Sequence, residues 1–220
     1  MKYPQILIAG VDEAGCGPLA GPVTAASVVL PPCYVNAKIA DSKSLSARQR
    51  EILYSEIVEV ALAYSVVSVG SRRIDRINIR ESTRLAHRLA MHRLLLTLQR
   101  SGSFTRNPVA VHFLIDGHLP LETTASYETI IKGDSKLLVI GAASILAKVT
   151  RDRLMTVLDK HYPGYGFTKH KGYGTRLHLE SIAACGPSPV HRRTFAGVKE
   201  FVGSSGSHIR TDTTDIREKG

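Results

Sequence analysis

A chain of 220 residues with 43% hydrophobic content carries enough apolar material for a real core, which excludes an intrinsically disordered protein. Lys and Arg outnumber Asp and Glu by 29 to 19, a formal charge of +10, so a polyanionic partner is expected, with nucleic acid ahead of an anionic membrane surface. Cys16, Cys33 and Cys185 form no C-x-x-C pair, the start lacks signal-peptide architecture, and no apolar stretch reaches the roughly 18 residues of a membrane span. A reducing, cytoplasmic protein is expected.

Residues 5–11 are a short apolar run, consistent with a buried strand. Residues 22–31, "PVTAASVVLP", are β-branched and bounded by proline, a second strand. After "DSKSLS", Ser46 and Gln49 have capping-box spacing, and Leu53, Ile57, Val60, Ala61 and Tyr64 make a helical stripe. "AYSVVSVGS" is a third strand. Residues 80–100 read as a helix through Leu85, Leu89 and Leu96, with arginines on its other faces. "VAVHFLID" is a strand ending at Asp116, and "ETIIKGD" a short one ending at Asp134. Residues 136–161 predict a helix striped by Leu138, Ala142, Ile145, Leu146 and Val149. Glycines and aromatics in "YPGYGFTKHKGYGT" rule out regular helix, and "GTRLHLESIAACG" is a helix stopped by Gly186 and Pro187. This order predicts an α/β layer around a mixed sheet. One domain is expected over 1–202, with a helical C-terminal part from about 160 to 202; the polar segment 203–220 is expected to be a mobile tail.

Asp12 and Glu13 close the first strand, Asp116 closes another, and Asp134 closes a third. Singly, each has a plain alternative: a solvated strand end, the Asp-Gly turn after Asp116, a helix cap at Asp134. Together they place four carboxylates at one end of a sheet if the strands are neighbours. Like charges that close raise one another's pKa, and divalent cations resolve the conflict. Two such ions about 4 Å apart clamp the attacking and leaving oxygens of a phosphodiester. One obstacle is geometric: adjacent strand residues point to opposite faces, so Asp12 and Glu13 share a site only if the strand ends or bulges there, which Gly15 permits.

The motifs "GVDEAGCGPLAGPV", "DSKSLS", "LIDGH", "KGDSKLLVIGAASILAKVTRD" and "YPGYGFTKHKGYGT", in that order, resemble ribonuclease HII, the type 2 ribonuclease H family, from about Ile8 to about Val198. The resemblance implies a ribonuclease H-like mixed sheet flanked by helices, with a helical C-terminal region, as one catalytic domain. It implies cleavage of the RNA strand of RNA–DNA hybrids and nicking 5′ of a single ribonucleotide in duplex DNA, leaving 5′-phosphate and 3′-hydroxyl ends. The partners are then these duplexes, no membrane is involved, and the enzyme is expected to work as a monomer. The family's metal-binding acids fall on Asp12, Glu13, Asp116 and Asp134, with two Mg²⁺ or Mn²⁺ ions. Its ribose-contacting triplet falls on Gly15, Cys16 and Gly17, and its sugar-packing aromatic on Tyr173. Glycines admit close approach, the 2′-hydroxyl separates RNA from DNA, and an aromatic face stacks without reading sequence.

Two positions depart from the family pattern: Cys16 stands where arginine is usual, removing a charge and up to five donors, and Gly141 where alanine is commoner. Lys43, His170, Lys171 and Arg176 lie in motif segments and are candidates for phosphate contact, with an ordinary solvated charge as the alternative. His161, His170, His178 and His191 lack metal-ligand spacing with cysteine, so packed or surface histidines are expected rather than a zinc set. "HRRTF", 191–195, is a basic knot that faces a duplex or simply water. Gly15-x-Gly17-x-x-Ala20 matches a dinucleotide fingerprint in form, but Pro18, Gly21 and Pro22 follow where a helix must open. A non-catalytic nucleic-acid binder would gain nothing from four clustered acids that repel its ligand. Another nuclease or strand-transfer enzyme on the same fold shares the chemistry and differs in substrate.

Overall fold

The computed structural model describes residues 6–39, 45–101 and 110–202. Five strands, β1 (Ile6–Ala14), β2 (Val23–Val29), β3 (Ala63–Val69), β4 (Ala110–Asp116) and β5 (Ser126–Ile130), form one sheet in the order β3-β2-β1-β4-β5. β1, β2 and β3 pair antiparallel, while β4 runs parallel to β1 and β5 parallel to β4. Helices α1 (Ala47–Val60), α2 (Ser71–Arg100) and α3 (Leu138–His161) pack on the sheet, and α4 (Phe167–His170) and α5 (Arg176–Cys185) follow. The expected α/β fold with a mixed sheet is what forms.

Alternation along β1 separates two cores. Leu7, Ala9 and Val11 face α2 and pack with Met91, Leu94, Phe113 and Ile115. On the opposite face Ala26 and Val28 of β2 meet Leu53 and Ile57 of α1 and Ala142, Ile145 and Leu146 of α3. Each fully buried Leu or Ile contributes about 1.5–3 kcal/mol. Gly10 belongs to this second face; a Cβ there would strike the Val139 backbone, so α3 lies directly on β1. A third core, Leu19, Met155, Tyr165, Phe167, Ile182 and Val198, joins the C-terminal part to the end of α3 and to the segment after β1.

Several boundaries differ from the sequence expectation. β1 continues to Ala14, in regular register with β2, so there is no strand end or bulge at Asp12–Glu13. α1 stops at Val60; Ala61 caps it and Tyr64 already belongs to β3. α2 begins at Ser71 rather than 80, because two helical segments meet at Asn78, which has φ 62°. The Asn78 side chain accepts the Glu81 N–H at 3.0 Å and starts the second segment. Leu89 is 41% exposed, and the face α2 buries is Thr83, Ala86, His87, Ala90 and Leu94. β5 ends at Ile130, and Asp134 sits in a single 3₁₀ turn, Gly133–Ser135. Within the stretch expected to be irregular, Phe167–His170 form one helical turn between left-handed Gly166 and Lys171. The 203–220 tail and Lys43 lie outside the described residues.

Gly10→Ala is expected to destabilise the protein by about 1–3 kcal/mol, since α3 must shift to admit the methyl group. A lower urea midpoint at unchanged denaturant slope is the measurement.

Candidate active site

The β1–β4 ladder ends at the pair Val11–Ile115. The next residue on each strand is an aspartate, Asp12 and Asp116, and both point to the α3 face. Past this pair the β4-side edge of β1 has no strand neighbour. There the Glu13 N–H donates to Asp12 Oδ1 at 2.7 Å. Asp12 is buried and also hydrogen-bonds Ser144 of α3. Glu13 leaves on the α2 face, where Oε2 lies 2.9 Å from His87 Nε2. Asp116 Oδ1 accepts the Gly133 N–H at 2.7 Å, which ties β4 to the turn that carries buried Asp134.

The charges act on one another across this end of the sheet. Burial pushes the Asp12 carboxyl well above the ordinary range, and the charges of Glu13 and Asp116 add to it. Asp116 is likewise raised by burial, with Asp134 and Glu13 adding and the Gly133 N–H opposing. At Glu13 burial also works upward, but the hydrogen bond and charge of His87 outweigh it and hold the carboxyl below its usual value. Among the described residues no three such side chains are drawn into a closed ligand shell, since Glu13 turns to His87 and Asp116 to Gly133. As a donor set, mutually repelling carboxylate oxygens fit hard divalent cations.

Beside the acids opens a cleft of about 460 Å³, lined by Glu13, Gly15, Cys16, Gly17, Ser144, Lys148, Arg151 and Tyr173 among others. Asp12, Asp116 and Asp134 lie outside this lining; Glu13 joins the two regions. Gly15 has φ +97°, and a Cβ would strike the Arg151 side chain behind it, so glycine is required on both counts. The Cys16 thiol lies 3.5 Å from Glu13 Oε1 and 3.4 Å from Thr83 Oγ1. Burial, helped by the Glu13 charge, pushes this thiol up to about 12, so it stays protonated at neutral pH. Tyr173 is 46% exposed across the cleft, its ring edge 3.9 Å from where a Cβ on Gly17 would stand.

The sequence profile described as Ribonuclease HII matches residues 9–198. Ribonuclease HII of Geobacter sulfurreducens is 48% identical over 90% of this chain and 86% of its own length. That of Syntrophotalea carbinolica is 46% identical over 89% and 88%. The crystal structure of ribonuclease H2 from Pyrococcus horikoshii superposes with a TM-score of 0.70 at 27% identity, covering 88% of this chain and 96% of that one. The chain belongs to the ribonuclease HII family. It is an endoribonuclease on the ribonuclease H-like fold, and membership implies a divalent-metal-dependent enzyme acting on the RNA of RNA–DNA hybrids. No helix among the described residues is long and apolar enough to cross a membrane.

Three of the four histidines singled out above, His170, His178 and His191, pack into one buried cluster. The Gly172 N–H donates to His170 Nδ1 (3.2 Å), leaving His170 Nε2–H for the Tyr165 carbonyl (2.7 Å). The Ser188 N–H donates to His191 Nδ1 (3.0 Å), so His191 Nε2–H faces His178 Nε2 at 3.0 Å, and His178 Nδ1–H donates to the Tyr173 carbonyl at 2.9 Å. His161 stands apart, bonded to the Val157 carbonyl. His170 is therefore no phosphate ligand on the surface. Lys171 reaches back to Asp152 O and Thr156 Oγ1 of α3, and exposed Arg176 pairs with Glu180. In "HRRTF" the structure divides the segment: His191 and Arg192 are buried, facing neither duplex nor water, while Arg193 and Thr194 are exposed and their N–H groups donate to Asp75. His87, Ser144 and Arg151 carry no role in the sequence expectation. Ser144, Lys148 and Arg151 recur at helical spacing along α3, a polar stripe that periodicity can flag.

Neutralising one member of the acid cluster removes repulsion. Asp12→Asn is expected to raise the thermal midpoint of the metal-free protein by about 2–4 °C per kcal/mol relieved, measured by calorimetry in chelator. The histidines set a pH window. Burial lowers His178 and His191 to about 4, each assisted by a neighbouring histidine. Between about 6.5 and 4 the unfolded chain binds more protons, so their contribution to stability is complete above 6.5 and is lost as pH falls toward 4. Asp12 and Asp116, both raised, act in the opposite sense. Thermal midpoints across this window should therefore fall less steeply in His178→Asn, whose amide replaces the Nδ1 donor, than in the parent.

Proposed function

We propose that this chain cuts the RNA strand of RNA–DNA hybrids and nicks duplex DNA on the 5′ side of a single ribonucleotide, using Asp12, Glu13, Asp116 and Asp134 to hold two divalent cations, Mg²⁺ or Mn²⁺. What supports this reading is that Asp12 and Asp116 directly follow the last β1–β4 pair, that the charges of Glu13 and Asp134 act on them, and that a cleft opens beside Glu13. Bound cations supply an activated water and stabilise charge on the departing 3′ oxygen. Water adds to phosphorus, the P–O3′ bond breaks, and the products carry 5′-phosphate and 3′-hydroxyl. The protein's own groups orient the site. Ser144 holds Asp12, the Gly133 N–H holds Asp116, and His87 holds Glu13 in its ionised form. Gly15, Cys16 and Gly17 bring main chain against the ribose, and the half-exposed Tyr173 ring packs on the adjoining sugar. Residues 1–202 act as one catalytic unit, with duplex backbone drawn by the positive surface and no second subunit needed.

A labelled DNA duplex carrying one ribonucleotide, incubated with Mg²⁺ or Mn²⁺, should be cut on the 5′ side of the ribose. An intact duplex and an intact hybrid would overturn the assignment. Asp116→Asn and Asp134→Asn are each expected to lower turnover by at least a thousandfold while duplex binding, read by anisotropy, stays within a few fold. Cys16→Arg is expected to raise affinity at the ribonucleotide junction through a new phosphate contact; unchanged kinetics on both substrates would remove that role for position 16.

A further inference from the structure

Arg151 and Arg192 are both fully buried, and neither makes an ion pair among the described residues. Instead they spend their donors on main-chain carbonyls. Arg192 donates from Nη2 to Gly15 O (2.5 Å), from Nη1 to Cys16 O (2.8 Å) and from Nε to Gly21 O (3.1 Å). Arg151 donates to Pro22 O (2.9 Å), Ala20 O (3.2 Å) and Lys171 O (3.0 Å). The segment after β1 thus presents carbonyls inward to two guanidinium groups, one from α3 and one from the C-terminal part.

A trans peptide is planar, with C=O and the following N–H pointing in opposite directions. Drawing the Gly15 carbonyl inward therefore turns the Cys16 N–H outward, and drawing the Cys16 carbonyl inward turns the Gly17 N–H outward. Outward here is the cleft that Gly15, Cys16, Gly17 and Tyr173 line. We infer that Arg192 is a positioning residue for ribose recognition: by holding the Gly15 and Cys16 carbonyls it aims the Cys16 and Gly17 amides at the sugar–phosphate of the ribonucleotide. This rests on the reading that the 15–17 triplet meets the ribose. Lysine at 192 keeps the charge but has no planar fork to hold two successive carbonyls.

The test uses the full chain in an Asp134→Asn background with Ca²⁺, so that binding is read without cleavage. Affinities are measured for a DNA duplex with one ribonucleotide and for the same duplex all in DNA. Arg192→Lys is expected to reduce the ribo-over-deoxy preference at least fivefold while all-DNA binding changes less than twofold. A folded Arg192→Lys variant with the parent's preference would overturn the inference and leave the proposed function standing. A parent with no ribose preference would overturn both. Should the variant not fold, amide hydrogen exchange in the Asp134→Asn parent decides. The Cys16 and Gly17 amides should exchange fast in free protein and slow at least tenfold with the ribonucleotide duplex, but not with the all-DNA duplex; amides already protected in free protein would overturn the inference.

Discussion

The parallel register of β1 on β4 is the constraint from which the site follows. Pairing Val11 with Ile115 makes Asp12 and Asp116 the next residues on adjacent strands, on the same face, at the moment the ladder stops. Neighbouring strands lie about 4.8 Å apart, so two carboxylates meet without any loop having to find its place. The cost is burial first and repulsion second: loss of solvent raises both groups, and the charge of Glu13 adds at each. What keeps the strands in register despite it is the core directly beneath, where Val11, Phe113 and Ile115 are essentially inaccessible to water. A slip of one residue would expose that set and bury the acids' neighbours instead.

The same register resolves the problem of two adjacent acids in one strand. Asp12 and Glu13 do point to opposite faces, as alternation demands, and no bulge brings them together. Both stand where, among the described residues, no strand pairs with the β4 side of β1 beyond Val11. Each carboxylate is then oriented from its own side, Asp12 by Ser144 of α3 and Glu13 by His87 of α2. The central sheet thus separates two supporting layers that meet only at its open end.

The sheet and its layers were legible because they rest on period-two apolar alternation, and Asp116 because it does end a strand; Asp12 and Glu13 lie inside β1, and Asp134 in the turn after β5. What escaped had no periodic signal. The first turns of α2 contain "SRRIDRIN", with Ile74 the single buried apolar side chain, and the chain turns through a left-handed Asn78 that no stripe announces. Leu89 fits a helical spacing yet faces water, because the side of the helix turned to the sheet is the one carrying Thr83, Ala86, His87, Ala90 and Leu94, partly polar residues that an apolar stripe does not display. Arg192 was the hardest to read. Arginine is almost never fully buried unless paired, and here the partners are backbone carbonyls from a segment about 170 positions earlier in the chain, which sequence does not display.

That arrangement also explains how the chain accommodates cysteine at position 16. The thiol occupies a niche between Glu13 and Thr83, neutral and largely enclosed. Burial and the neighbouring Arg151 lower the Arg192 guanidinium to about 10, which still leaves it a cation at neutral pH. Its hold on the Gly15 and Cys16 carbonyls involves no atom of the side chain at 16. Backbone orientation and side-chain identity are therefore decoupled at this residue: the first is set from the C-terminal part, the second by the niche between Glu13 and Thr83. A segment whose carbonyls are held from behind can change the side chain at 16 and keep its shape, provided the buried Arg192 stays.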